Sequence, residues 1–285
     1  MTALTEADTS RYADVDGLRL HYNEAGPSTG PAVILLHGGG PGAGGWSNFH
    51  RNIEAFAAAG FRTLLLDCPG FNKSGPIVSA DPRGLINARA VNGLMDVLGI
   101  DKAHLVGASM GGTIAQTLAI EQPSRVRTLT SVMSTTGDPA LPSPGYAVLS
   151  TIFKPAPRDL AGYTEHYITT WKHLRGGAFP EEEARDRARA ALNHARGLCP
   201  DGGARQLVAI LASGSRREAL RQVNLPTLVI HGDKDNLIFP IGGERTAELI
   251  PGARYELIEG MGHDYPPQLW RRWTDLVVGH IRDHS

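Results

Sequence analysis

His104-Leu-Val-Gly-Ala-Ser-Met-Gly-Gly-Thr-Ile-Ala-Gln116 decides the fold. The apolar residues 103–106 predict a buried strand, and the spacing over 110–121 predicts a helix. Gly107 and Gly111 bracket Ser109 and allow the chain to reverse in one tight turn between the two elements. The same rhythm continues in both directions. Residues 18–23, 32–36, 61–66 and 126–132 read as strands, and so do 226–230 and 255–258. Helical spacing covers 49–59, 268–281 and 85–98, the last with an apolar stripe through Leu85, Ala88, Val91, Leu94, Met95 and Leu98. Continuous apolar strands alternating with helices predict an α/β fold, a mostly parallel twisted sheet with helices on both faces.

The rhythm stops between residues 135 and 223. Prolines cluster at positions 139, 142, 144, 155 and 157, and polar helical patterns follow over 160–175, 181–196 and 204–211. No ordinary connection is that long. The expected organisation is therefore one core built from residues 1–134 and 224–285, with 135–223 inserted as a helical layer.

Composition narrows the function. The 285 residues carry 28 Lys+Arg against 29 Asp+Glu, a net charge of −1, so there is no basic excess for nucleic acid. No apolar run approaches the length of a membrane span. Two cysteines, Cys68 and Cys199, build no disulfide framework, and no CxxC suggests a metal or redox site. The first residues show no basic start followed by an apolar stretch, so the expected location is the cytoplasm. The expected partner is a small-molecule substrate, and homo-oligomer formation is left open.

Ser109 stands in G-x-S-x-G between strand and helix, the setting of a nucleophile elbow. A serine hydroxyl needs a base, and the base needs an orienting carboxylate. In this context the expected chain order is serine, acid, histidine. Downstream come Gly232-Asp-Lys-Asp235 after one strand and Gly260-Met-Gly-His263 after the next. His263 is the expected base, and Asp233 and Asp235 both qualify as the acid. Among the other histidines, His37 and His231 read as structural. His280 and His284 read as a helix face with no third ligand, so no metal is expected. An oxyanion would need two backbone donors. Met110, after the nucleophile, supplies one, and the turn His37-Gly-Gly-Gly40 supplies the other. Gly39 is the expected donor there, with Gly38 and Gly40 as neighbours on the substrate side.

The same turn permits a different reading. Gly40-Pro-Gly-Ala-Gly-Gly45 fits G-x-G-x-x-G, and Asp67 ends the next strand where a ribose contact would lie. Pro41 removes an N–H that phosphate would want, and this dinucleotide reading leaves Ser109, Asp235 and His263 without a role. A non-catalytic scaffold leaves them unexplained as well.

These motifs together resemble the α/β-hydrolase superfamily over nearly the whole chain. The resemblance implies the α/β-hydrolase fold, a helical cap at 135–223 and Asp235 as the acid. Residues 1–112 resemble meta-cleavage-product hydrolases, which cut a carbon–carbon bond. The matching text includes His37–Asn48, Pro69-Gly-Phe-Asn-Lys-Ser74 and Asn87-Ala-Arg-Ala-Val91. From about residue 113 the chain resembles ester hydrolases related to aclacinomycin methylesterase, through Leu225-Pro-Thr-Leu-Val-Ile230, Leu249-Ile-Pro-Gly-Ala-Arg254 and Gly260–His263. Carbon–carbon hydrolases usually carry Asn before the serine and Trp after the histidine, where this chain has Ala108 and Asp264. Asn48 is retained. The family's carboxylate-gripping cap arginine has no clear counterpart: Arg185, Arg187 and Arg189 all lie near its position, on an arginine-rich helix that by default reads as a solvated face. Trp171, Tyr163, Tyr167 and Phe153 are expected to wall the pocket. With two polar features absent, the expected activity is hydrolysis of small carboxylic esters through an acyl-enzyme, with carbon–carbon hydrolysis of 2-hydroxy-6-oxo-dienoates as the alternative. Neither requires a metal or organic cofactor.

Overall fold

In a β-strand successive side chains point to opposite faces, so a strand with no polar residue must be covered on both sides. Ala32–Leu36 does this: Ile34 and Leu36 enter one core, Val33 and Leu35 the other. The computed structural model describes residues 4–40, 42–77, 79, 81–195, 197 and 213–284. Pro41, Cys199 and the expected helix at 204–211 lie outside the described residues, as does the side chain of Phe153.

Among the described residues eight strands form one sheet. They are β1 (Ser10–Val15), β2 (Leu18–Ala25), β3 (Ala32–Leu36), β4 (Arg62–Leu66), β5 (Ala103–Ala108), β6 (Val126–Val132), β7 (Thr227–Gly232) and β8 (Arg254–Ile258). Their order is β1-β2-β4-β3-β5-β6-β7-β8. β1 and β2 run antiparallel to their neighbours, and the rest of the sheet is parallel. The helices are α1 (Glu6–Thr9), α2 (Gly45–Ala58), α3 (Arg83–Val97), α4 (Met110–Glu121), α5 (Tyr146–Phe153), α6 (Leu160–Leu174), α7 (Glu183–Ala195), α8 (Arg217–Leu220), α9 (Pro240–Leu249) and α10 (Trp270–Arg282). α3 and α4 cover one face through Val91, Leu94, Ile114 and Leu118. On the other face, α2 and α10 contribute Phe49, Ile53, Phe56, Trp273 and Val277.

The chain leaves β3 for β4 on one side and β5 for β6 on the other. The crevice between β3 and β5 is therefore the point where the winding reverses, which in open parallel sheets is where ligands bind. Leu36, the last residue of β3, pairs with Gly107 near the end of β5. This register brings the glycine turn and Ser109 side by side.

Five elements escape the sequence pattern, two of them the four-residue helices α1 and α8. β1 buries only alternate positions at an edge, α5 follows a proline cluster, and α9 begins on Pro240 after an irregular loop. The helices α5, α6 and α7 fall between β6 and β7. Tyr163, Tyr167 and Ala190 form their own small core, with Trp171 packed against it. Arg216 ties the two ends of this stretch together. Its backbone N–H donates to the Thr136 carbonyl at 2.9 Å. Its side chain donates to Gln116 Oε1 and the Thr135 carbonyl, both at 3.0 Å.

Two buried histidines make the fold acid-sensitive. His104 on β5 donates or accepts only at Thr128, and Nε2 of both His104 and His280 lacks a partner among the described residues. Burial, reinforced by Arg127 and His280, pushes His104 down to about 4. Burial, reinforced by His284, does the same to His280. An unfolded histidine titrates near about 6.5. Between these values the unfolded chain binds protons that the folded chain refuses, so stability falls as pH drops from about 6.5 towards 4. The urea midpoint will be lower at pH 5 than at pH 7, and the difference will shrink in His104→Asn/His280→Asn. An unchanged difference in that variant would show that other groups set the acid sensitivity.

Candidate active site

Ser109 sits between β5 and α4 with φ 52° and ψ −116°, a left-handed conformation that costs a non-glycine residue free energy. The surroundings enforce it. A Cβ on Gly107 would strike the Gly111 carbonyl, and one on Gly111 would strike the Leu36 carbonyl. The Ser109 N–H donates to the Val132 carbonyl at 2.9 Å, and the Ser134 hydroxyl donates to the Ser109 carbonyl at 2.8 Å. The turn is thus held from both neighbouring strands and lifts the hydroxyl above the sheet end.

His263 Nε2 lies 3.0 Å from Ser109 Oγ, and its Nδ1 lies 2.8 Å from Asp235 Oδ2. Asp235 Oδ1 accepts the N–H groups of Leu237 and Ile238 at 3.0 and 2.9 Å. Burial alone would raise the Asp235 carboxyl, but His263 and His231 outweigh it and hold it well below the usual carboxylate range. It is therefore ionised at neutral pH and fixes Nδ1 of His263 as the protonated nitrogen, leaving Nε2 free to accept the serine proton. Asp233 is occupied elsewhere: it accepts the Gly260 N–H at 2.6 Å and pairs with Lys234.

The glycine turn lies against the serine. A Cβ on Gly38 would lie 3.4 Å from Ser109 Cβ. Met110 is the first residue of α4, so its N–H has no partner within the helix. The Gly39 N–H likewise donates to no acceptor among the described residues. At Gly40 a Cβ would meet nothing within 4 Å. Asn48 braces the turn rather than standing free. Its Oδ1 accepts from the Gly38 N–H at 3.4 Å, and its Nδ2 donates to the Gly44 carbonyl at 3.1 Å. His37 is buried beneath: Nε2 accepts the Cys68 N–H at 3.0 Å and Nδ1 donates to the Gly38 carbonyl at 2.8 Å. These two bonds fix its tautomer, and burial lowers its pKa.

Asp67 does not serve as a ribose acceptor. It is fully buried and accepts from His21 at 2.7 Å, the Gly45 N–H at 2.7 Å and Asn72 at 2.7 Å. The dinucleotide reading fails on that count.

The three candidate arginines separate. Arg187 is half-exposed and held by Glu183 and Glu165. Arg189 donates to the Ser47 carbonyl at 3.0 Å. Arg185 stacks over the Trp270 ring at 5.1 Å and lines a cavity with Arg175, Phe179, Asp264 and Pro267. Its guanidinium pKa is lowered, first by burial and then by Arg189 and Arg51. Asp264 follows His263 directly. Burial pushes its carboxyl up to about 6, against the opposing pull of Arg175 and His263.

Two of the residues expected at the substrate are engaged in packing. Ala108 is buried in the core on the α2 side of the sheet. Trp171 packs beside Tyr167, ring centroids 6.0 Å apart, within the core of the inserted helices. Residues that sequence reasoning missed are Arg175, Asn236 and Ser134. Asn236 was reachable as the neighbour of Asp235, whereas Arg175 acts through contacts distant in sequence.

Among the described residues no helix is long and apolar enough to cross a membrane, and no group of three or more His, Cys, Asp or Glu could hold a metal ion.

Comparison with known proteins fits this geometry. A family model described as the alpha/beta hydrolase fold matches residues 31–265. The 2-hydroxy-6-oxo-6-phenylhexa-2,4-dienoate hydrolase of Comamonas testosteroni is 60% identical over 131 residues, 44% of this chain. That match spans 45% of the relative's length, so about half of each protein is compared at that level. The 2-hydroxy-6-oxononadienedioate/2-hydroxy-6-oxononatrienedioate hydrolase 1 of Dechloromonas aromatica is 35% identical over 286 residues, covering 95% of this chain and 92% of the relative. The solved meta-cleavage product hydrolase from Pseudomonas fluorescens IP01 superposes with a TM-score of 0.83 at 22% identity, over 97% of this chain and 99% of that one, a likeness of fold.

The expectation of a small-ester hydrolase is corrected by these relatives, which are named for a 2-hydroxy-6-oxo-dienoate over part of the chain and for 2-hydroxy-6-oxo-dienedioates over nearly all of it. Ala108 and Asp264 had carried that expectation. Ala108 is core packing, and Asp264 pairs with Arg175 beside the base, so neither residue by itself specifies ester chemistry. The chain is a hydrolase that belongs to the α/β-hydrolase superfamily, and relatives that match nearly its whole length are named 2-hydroxy-6-oxononadienedioate/2-hydroxy-6-oxononatrienedioate hydrolases.

Proposed function

We propose that this protein hydrolyses the carbon–carbon bond of 2-hydroxy-6-oxo-dienoates, with residues 1–134 and 224–285 as the catalytic core and 135–223 as a cap over it. The observation that carries the reading is the alignment of Ser109, His263 and Asp235 in a chain whose relatives are named for 2-hydroxy-6-oxo-dienoate substrates, a phenylhexadienoate over about half its length and dienedioates over nearly all of it.

The reaction divides into steps this site can support. The substrate first changes tautomer: the 2-hydroxyl loses a proton, C5 gains one, and the dienol becomes a diketone. Ser109 Oγ then attacks the C6 carbonyl as His263 Nε2 takes its proton, and Asp235 stabilises the imidazolium. The N–H groups of Gly39 and Met110 hold the oxyanion. Collapse breaks C5–C6. The electron pair passes through the C3–C4 double bond to the C2 oxygen, which takes the proton from His263. A 2-hydroxydienoate leaves, and the acyl group stays on Ser109. Water then attacks that ester with His263 as base, releasing a carboxylic acid. Gly38, Gly40 and Asn48 shape the turn that presents the Gly39 amide.

Arg185 is the group proposed to bind the substrate carboxylate. It lines the cavity beside Asp264 with two like charges nearby and Glu182 Oε2 3.3 Å from its Nη1, a half-exposed partner that a substrate carboxylate would replace. A charge-assisted hydrogen bond contributes about 1.5–3 kcal/mol. Arg185→Gln will therefore raise KM for a dienoate by about 10- to 100-fold with a smaller change in kcat. An unchanged KM would remove Arg185 from this role.

A further inference from the structure

A helix leaves its last carbonyls without partners inside the helix. At the end of α6 two of them are taken up by the loops that bear the acid and the base. The Asn236 side-chain amide, next to Asp235, donates to the His173 carbonyl at 2.5 Å. The His263 backbone N–H donates to the Leu174 carbonyl at 2.8 Å. The junction leaves no room for side chains. A Cβ on Gly176 would strike the Gly260 carbonyl, and one on Gly262 would strike Gly176 and Leu174.

Arg175 closes this junction. Its two terminal nitrogens donate to both oxygens of Asp186 at 2.7 and 2.6 Å, which ties α6 to α7. Its Nε lies 3.5 Å from Asp264 Oδ2, on the residue that follows His263. All three side chains are largely buried, and Asp186 is only 2% exposed. A buried cluster of one cation and two anions is a weak source of stability compared with apolar packing, but its directional bonds set register. The planar fork of arginine reaches both carboxylates at once, and a lysine ammonium does not reproduce it.

We propose that Arg175 is a positioning residue that couples the inserted helices to the base, holding α6 and α7 against the His263 loop so that the imidazole stays aligned on Ser109. The inference rests on Ser109, His263 and Asp235 being the reacting set, and it is independent of which substrate they act on. A displacement of about 1 Å at a reacting group costs on the order of 100-fold in rate, and the Leu174 carbonyl holds the His263 backbone directly.

The test is the rate at which a fluorophosphonate labels Ser109 in the full-length chain, because labelling needs the aligned base but not the natural substrate. In Arg175→Met the maximal labelling rate will fall about 10- to 100-fold, while the concentration for half-saturation stays within about threefold. Arg175→Lys will recover only a small part of the loss. Asp264→Asn keeps the size of the side chain and the Arg175–Asp186 pair. It will lose an intermediate amount with an unchanged melting temperature, which separates positioning from folding. A wild-type labelling rate in Asp264→Asn would overturn the inference whatever Arg175→Met does. Absence of labelling in the unsubstituted protein would overturn the assignment of the reacting set itself, and this inference with it.

Discussion

Ser109→Ala will lower turnover of any substrate the protein accepts by about four to six orders of magnitude, with the fold retained. The size follows from how the residues act together. Once the nucleophile is gone, His263 has no proton to accept and Asp235 no imidazolium to stabilise, so one deletion removes the contribution of all three. What remains is binding and whatever the Gly39 and Met110 amides contribute to attack by water. The fold is spared because Ser109 Oγ makes one side-chain contact, to His263 Nε2. The turn is held instead by backbone bonds to Val132 and Ser134 and by the packing of Gly107 and Gly111. Circular dichroism and the melting temperature should match the parent within a few degrees. Turnover in Ser109→Ala near that of the parent would end the nucleophile assignment.

The three residues that the structure brings together as a candidate triad are legible in the sequence because local patterns place them. A strand, two glycines about a serine and a helix read directly as the turn that the structure builds with φ 52° at Ser109. Chain order then leads to His263 and Asp235, since parallel strands place their following loops at one end of the sheet. What sequence leaves hidden depends on contacts between distant segments. Asn48 looks like a free polar group but is spent on the Gly38 amide and the Gly44 carbonyl. Trp171 looks like a pocket wall but packs on Tyr167. Arg185 and Arg187 are two residues apart on α7, yet one lines the cavity and the other pairs with surface glutamates. Ester and carbon–carbon hydrolysis share the nucleophile, the base and the oxyanion donors. Ala108 and Asp264 therefore carried more weight in the choice of chemistry than their contacts support.

The second large effect is the choice between those chemistries. On the proposed reading the substrate carboxylate would offer Arg185 a partner that a neutral ester lacks, and a site built around such a group rejects molecules without it by large factors. The Arg185 guanidinium, already destabilised by burial and by Arg189 and Arg51, sharpens that preference. The most direct measurement sets kcat/KM for 2-hydroxy-6-oxo-6-phenylhexa-2,4-dienoate beside that for p-nitrophenyl butyrate, with Ser109→Ala as the blank. The account predicts that the dienoate is preferred by about two orders of magnitude or more, with benzoate and a 2-hydroxydienoate as products. Ester turnover that exceeds dienoate turnover, with the dienoate no better than the blank, would contradict it.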